Sequence, residues 1–323
     1  MFKKIFFLNI ALMFISTHIY AVQSMKINIG HSGAPGGFAD IASVEFKRLV
    51  EVRSNNNIKV TIFPSGQLGG ERELVEGAQL GTVDIAVVLA GILESFEPQF
   101  GVLNLPYLFN NRKHAFDVFD GSVGRSLMNL LSKHNLKGYA FGEFGFRSMM
   151  IGPRAVYSPN DVAGLKFRVP ESDIYISMYK SIGATPVPLP GPEIFTSLQN
   201  KVIDGTGAPI FAAVTAKYYE TPLKHLSLTE HIYAALLMVG SKQMWDKMDS
   251  STKKLIQKAS LDAVAHQRNL SIQNDQMYID TLLDKGWKIN LVNKKPFRNM
   301  VSGMYVKRSN LKNWVNKIKS VGK

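Results

Sequence analysis

Short apolar strand patterns alternate with amphipathic helix patterns from residue 25 onward, and this alternation restricts the fold more than any other feature. Met25 to Gly30 alternates as a strand and runs into a glycine-rich loop, His31-Ser32-Gly33-Ala34-Pro35-Gly36-Gly37. Asp40 to Arg53 then has a helical period, with Ile41, Val44, Leu49 and Val52 near one face. Ile58 to Phe63 is a second strand, closed by Pro64-Ser65-Gly66, and Glu71 to Leu80 is a helix stopped by Gly81. Asp84 to Leu89 is continuously apolar after its acid, as expected of a parallel strand covered on both faces. A β-α-β-α-β order of this kind predicts a parallel sheet that receives ligands at the carboxyl ends of its strands.

The same grammar begins again further on. Gly138 to Phe144, Leu165 to Val169 and Thr185 to Leu189 read as strands. Asp173 to Ile182 and Glu193 to Asn200 read as helices, and Val202 to Thr206 leads into another strand. No flexible linker separates the halves, so two sheets in two lobes, joined by crossing segments, are expected. Ser250 to Lys285 forms one long helical pattern, with Ser250 or Ser251 available as a cap and Gly286 as its stop. Its length of about 50 Å exceeds one small domain and would carry it across both lobes, with a kink possible at the polar stretch Gln267 to Gln276. The fold class is therefore α/β and two-lobed, with a cleft between the lobes and a long helix spanning both.

Residues 1–21 are set apart from this pattern. Lys3 and Lys4 precede an apolar run, Ile5 to Ile15, and Ile19-Tyr20-Ala21 ends in a small residue. That is the layout of an export signal cleaved after Ala21; retention as an anchor is the alternative, although the run is about half the length that spans a bilayer. No later stretch reaches spanning length. The chain has no cysteine, which excludes a lipid anchor, disulfides and thiolate metal sites. The formal net charge is +13. Basic residues are scattered except for Lys307 to Lys319, so a solvated basic surface competes with an anion-binding patch. Export argues against nucleic acid as a partner.

Catalytic motifs do not assemble. The seven His residues have no metal-ligand spacing, and there is no GxSxG elbow or phosphate-binding Walker loop. Gly33-Ala34-Pro35-Gly36-Gly37 could cradle a phosphate, but Pro35 removes an N–H, and a plain strand-to-helix turn explains it as well. No metal and no cofactor are expected. Arginine at strand ends carries more information. Arg147 follows Glu143-Phe144-Gly145-Phe146, and Arg168 ends Gly164-Leu165-Lys166-Phe167. A guanidinium delivered there can grip both oxygens of a carboxylate, which an ammonium cannot. Pairing with an acid at the lobe edge is the equal alternative.

The run Pro159-Asn160-Asp161-Val162-Ala163-Gly164-Leu165-Lys166-Phe167-Arg168-Val169-Pro170 resembles the signature of periplasmic substrate-binding proteins of TRAP transporters, DctP type. So do Gly183-Ala184-Thr185-Pro186-Val187-Pro188-Leu189, then Glu193, Leu198-Gln199 and Val202-Ile203-Asp204-Gly205. Phe63-Pro64-Ser65-Gly66-Gln67-Leu68-Gly69 and Leu105-Pro106-Tyr107 match upstream, so the resemblance covers nearly the whole mature chain. It implies the periplasmic binding protein fold, closing around its ligand, with residues 22–144 plus 233–273 as one lobe and 145–232 plus 274–323 as the other. It implies a monomeric, non-enzymatic periplasmic receptor that binds a small organic acid and delivers it to TRAP membrane subunits. A receptor presenting its ligand to a sensor kinase and a secreted enzyme on a two-lobed fold are the rival expectations.

The resemblance also assigns residues. Arg168 would hold the carboxylate, with Arg147 beside it and Glu171 close by. His31, Ser32 and Phe38 would face them from the other lobe with Leu89, and Tyr233 would contact ligand from a crossing segment. Relatives carry Asp-Gly-Gln-Glu-Asn-Pro where this chain has Asp204-Gly205-Thr206-Gly207-Ala208-Pro209, so Ala208 replaces an amide. They often place an aromatic residue at Gly191, and some an acid at Leu89. A familiar sugar-acid ligand is therefore in doubt: the pocket is expected to be roomier or less polar at Gly191 and Ala208, with a bulkier ligand body, or Tyr233 and Phe38, filling the space.

Overall fold

The computed structural model describes residues 24–152 and 154–322. The expected leader and its cleavage point lie outside these residues. The first half contains β1 (Met25–Gly30), α1 (Phe38–Arg53), β2 (Ile58–Phe63), α2 (Glu71–Leu80) and β3 (Ile85–Leu89). β1 lies between β2 and β3 and is parallel to both, as the alternation requires. Gly81 closes α2 with φ 80°, a left-handed conformation in which a side chain would be strained. Helices α3 (Arg112–Asp120) and α4 (Ser122–Leu130) lead into β4 (Leu136–Ile151).

The second half repeats the scheme with β5 (Lys166–Val169), α5 (Asp173–Ser181), β6 (Thr185–Pro188), α6 (Ile194–Gln199), β7 (Gly205–Ala208) and α7 (Ile210–Thr215). The chain returns through β8 (His225–Ser241), followed by α8 (Lys242–Lys247), α9 (Ser250–Asp284) and β9 (Lys288–Leu291). Helices α10 (Lys294–Val301), α11 (Gly303–Lys307) and α12 (Lys312–Ser320) finish it.

The two expected sheets form one hydrogen-bonded ladder, β2-β1-β3-β8-β4-β7-β5-β6, with β9 on β8. β4 and β8 make the join. They pair antiparallel from Leu136↔Ser241 to Ile151↔His225; β8 takes first-half β3 along its later residues and β9 along its first, and β4 takes second-half β7 at its end. Sequence reading stopped β4 at Phe144 because Gly145 breaks the pattern. Gly145 instead takes φ 107° at a shift in register, and the strand continues past it.

The core is layered by sheet face and not by lobe. Val88, Met149, Leu237 and Val239 point into one apolar layer with Phe100, Phe167 and Tyr179. Their neighbours Val87, Met150, Leu236 and Met238 point into the other with Phe46, Phe211 and Ile256.

α9 runs unbroken through the polar stretch that suggested a kink. Its N-cap is Asp249, whose Oδ1 accepts the Thr252 N–H at 2.6 Å, and not Ser250 or Ser251. The polar residues have a separate purpose. Gln267 Oε1 accepts the Glu143 N–H at 2.9 Å, and its amide donates to the Glu143 carbonyl at 3.0 Å. Those backbone groups lie where the β4–β8 register shifts, so the helix satisfies what the ladder leaves open.

Candidate functional site

Strand ends from both halves converge on one partly open cavity of about 120 Å³. The first half contributes the loop after β1, the first turn of α2 and the end of β3. The second half contributes Arg168 from β5, Ala208 from β7, Ile194 at the start of α6, and Phe211, Ala212 and Thr215 of α7. Arg147 enters from β4, between the register shifts at Glu143/Gly145 and at Arg147/Met149.

Both guanidiniums are buried, and among the described residues neither is in an ion pair with an acid. Arg168 donates through Nε and Nη2 to the Leu189 carbonyl at 2.9 and 2.7 Å. Arg147 donates Nη2 to the Gly207 carbonyl, leaving Nε and Nη1 buried with no partner. Its guanidinium carbon sits 5.7 Å from the Phe144 ring centre and 5.2 Å from that of Tyr175. Burial, and then repulsion from Arg147, push the Arg168 pKa down to about 10. Two desolvated cations with no ion-paired acid among the described residues are costly. The pairing with a lobe-edge acid left open by the sequence is absent.

Glu71 is the one acid in the cavity lining. It occupies the first turn of α2, and its Oε1 accepts the Leu89 N–H at 2.9 Å. Burial raises its pKa, partly offset by that bond and by the arginine pair. Behind Arg147, Tyr179 Oη lies 3.2 Å from His231 Nε2, and Thr229 Oγ1 lies 2.8 Å from His231 Nδ1. Burial and then Arg147 push the His231 pKa down to about 3, so this support stays neutral. Phe38 and Phe211 stack across the cavity wall with ring centres 3.7 Å apart.

Of the residues singled out from sequence, Ser32, Phe38, Leu89, Arg147, Arg168, Gly191 and Ala208 line this cavity. Three do not. His31 is fully buried beneath the loop, with Nε2 3.3 Å from Asp40 Oδ1, where it braces the start of α1. Tyr233 sits on the opposite face of β8 from Leu236, against Phe109 and Phe146, because strand side chains alternate. Glu171 is exposed in a separate surface depression beside Arg72 and Arg308. Sequence reading missed Glu71, Phe144, Phe211 and Tyr218. An acid in the first turn of a helix is explained by the helix dipole alone, Phe144 and Phe211 read as core, and Tyr218 lies in a charged stretch that gives no signal. Among the described residues no cluster of His, Asp or Glu could hold a metal ion, and no helix is long and apolar enough to cross a membrane.

A family model described as bacterial extracellular solute-binding protein, family 7 (DctP), matches residues 29–310. The 2,3-diketo-L-gulonate-binding periplasmic protein YiaO of Escherichia coli is 31% identical over 297 residues, covering 90% of each chain. A TRAP periplasmic solute-binding protein from Polaromonas, solved with D-erythronate, superposes with a TM-score of 0.90 at 31% identity, over 93% of this chain and 99% of that one. A sugar acid binding protein from Advenella mimigardefordensis, solved with galactonate, gives 0.89 at 28% identity, over 93% and 100%.

Proposed function

The chain belongs to the family-7 bacterial extracellular solute-binding proteins, the periplasmic receptors of TRAP transporters, and we propose that it captures a monocarboxylate on Arg168 and Arg147. The family reading as a periplasmic organic-acid receptor, not an enzyme, is the premise; the residue assignment is ours. One observation carries it: two buried guanidiniums with unused donors face one cavity, and among the described residues neither is paired with an acid. A carboxylate supplies the negative charge and two planar acceptors in the geometry a guanidinium fork matches.

Glu71, Ser32, Thr215 and Tyr218 are the polar side chains left to meet the rest of the ligand. The acids in the relatives' structures, erythronate and galactonate, have in common the carboxylate that this arrangement recognises. We assign residues 22–144 plus 233–273 to one lobe and 145–232 plus 274–323 to the other, with cleavage after Ala21 and a monomeric mature protein. The membrane subunits of a TRAP transporter are its partners. Mass spectrometry of small molecules released on denaturing the purified protein tests the reading directly. A carboxylic acid that rebinds the wild type and fails to bind the Arg168→Ala variant supports it. A released ligand without a carboxylate overturns it.

A further inference from the structure

We infer that the ligand is a short monocarboxylate with an apolar body, such as a branched 2-oxo or 2-hydroxy acid, and not a polyhydroxylated sugar acid. The inference rests on the carboxylate-anchor reading above and adds the chemistry of the remainder of the molecule.

Donors are concentrated at the arginine pair. Arg147 keeps Nε and Nη1 free, and Arg168 keeps Nη1 free after its two bonds to Leu189. These exceed what two carboxylate oxygens accept, and an oxygen on the adjacent carbon suits the surplus. Beyond that cluster the lining is hydrocarbon: Phe38, Leu89, Phe144, Phe211, Ala212 and Leu236. Thr215 adds one acceptor, since its hydroxyl donates to the Phe211 carbonyl at 3.1 Å and keeps its lone pairs. Ser32, Glu71, Thr215 and Tyr218 are the other polar side chains in the lining. An aldonate's five hydroxyls would need the surplus arginine donor and all of these at once, and any out of reach would face apolar side chains. Each hydroxyl stripped of water without a partner weakens binding by roughly 5- to 100-fold.

Size points the same way. The cavity of about 120 Å³ is small and partly open to solvent, which favours a compact acid. A branched six-carbon 2-oxo acid has about nine non-hydrogen atoms, and a six-carbon aldonate about thirteen. The limit is set by the stacked Phe38–Phe211 pair. These two rings and Phe144 also line an outer polar pocket bounded by Asn110, Asn111, Arg112, Glu230 and Asp275. The aromatic wall therefore separates an apolar chamber from a polar one.

Calorimetry on the ligand-stripped protein, with 4-methyl-2-oxopentanoate and 3-methyl-2-oxobutanoate against galactonate and gluconate, tests this. The branched oxo acids are expected to bind at least tenfold tighter than either aldonate. In Phe211→Ala, which joins the two chambers, the ratio should shift toward the aldonates by about tenfold, and Phe211→Leu serves if the Ala variant fails to fold. Aldonate binding equal to or tighter than that of the oxo acids, abolished by Arg168→Ala, overturns this inference and leaves the anchor reading intact. Binding of neither class, together with a released ligand lacking a carboxylate, overturns both.

Discussion

Removing Arg168 should have opposite consequences for the ligand and for the fold. In the free protein its pKa is lowered to about 10, first through burial and then through Arg147. Keeping it charged near neutral pH therefore costs the folded state about 3 kcal/mol. The sign follows from the direction: a base whose folded pKa is lowered is penalised below that value, and the penalty disappears only as pH rises through about 10. Arg168→Ala relieves that cost but leaves the Leu189 carbonyl without its two donors, a loss of about 1–3 kcal/mol. The terms nearly cancel, so thermal unfolding of the free variant should stay within about 2 kcal/mol of wild type. Binding cannot cancel in this way. An anion brought beside Arg147 alone loses half its grip, on the order of 2–5 kcal/mol, or about 30- to several thousand-fold in Kd. Arg168→Lys should recover part of this, since the charge returns without the fork. Calorimetry and thermal unfolding on the same preparations decide. A free variant more than about 4 kcal/mol less stable with unchanged affinity would make Arg168 a structural strut and refute the reasoning.

Three further outcomes are expected. A side chain at Gly191 would meet Ser32 Oγ at 3.6 Å, and the residue is not in the left-handed region, so Gly191→Phe should leave the free protein's Tm unchanged. It should weaken the native ligand by about 1–3 kcal/mol through overfilling; equal affinity by calorimetry would remove Gly191 from the site. Burial raises the Glu71 pKa, so the fold favours its protonated form and loses that contribution as pH rises from about 4.5 through the folded value. Thermal unfolding of Glu71→Gln should therefore gain on wild type between about pH 4.5 and 7.5, and a constant difference across that range counts against it. Saturating ligand should reduce the radius of gyration in solution scattering by selecting the closed lobes, and an identical radius would contradict closure.

The parallel-strand halves, the long helix and both arginines were legible because each rests on local chemistry: period, a stop residue, or a charge at a strand end. The single continuous ladder was not. Gly145 reads as a break in any window, and only long-range pairing with β8 turns its positive φ into a shift in register. Tyr233 and Leu236 lie in one apolar run, and sequence gives no phase to say which faces the cavity. His31 and Glu71 exchanged expectations for a similar reason. A polar residue in a glycine-rich loop looks available, while an acid in the first turn of a helix looks explained. Burial under Asp40 and exposure to the arginine pair follow from tertiary packing alone.

The crossing of β4 and β8 also fixes the order in which the site can be assembled. Arg147 lies between two register shifts, at the place where a ladder shared by both halves bends most readily. For a rotation about an axis there, displacement grows with distance, so a group at the fulcrum barely travels while the rims sweep far. Arg147 is near the fulcrum; Ser32 and Gly191, from opposite halves, are rim groups that face each other across the gap. If the halves close on their ligand as proposed, an incoming acid would meet Arg147 in nearly final geometry while the jaws are still apart. The remaining walls arrive afterwards, and selection by shape is made last, at the outer end of the lever.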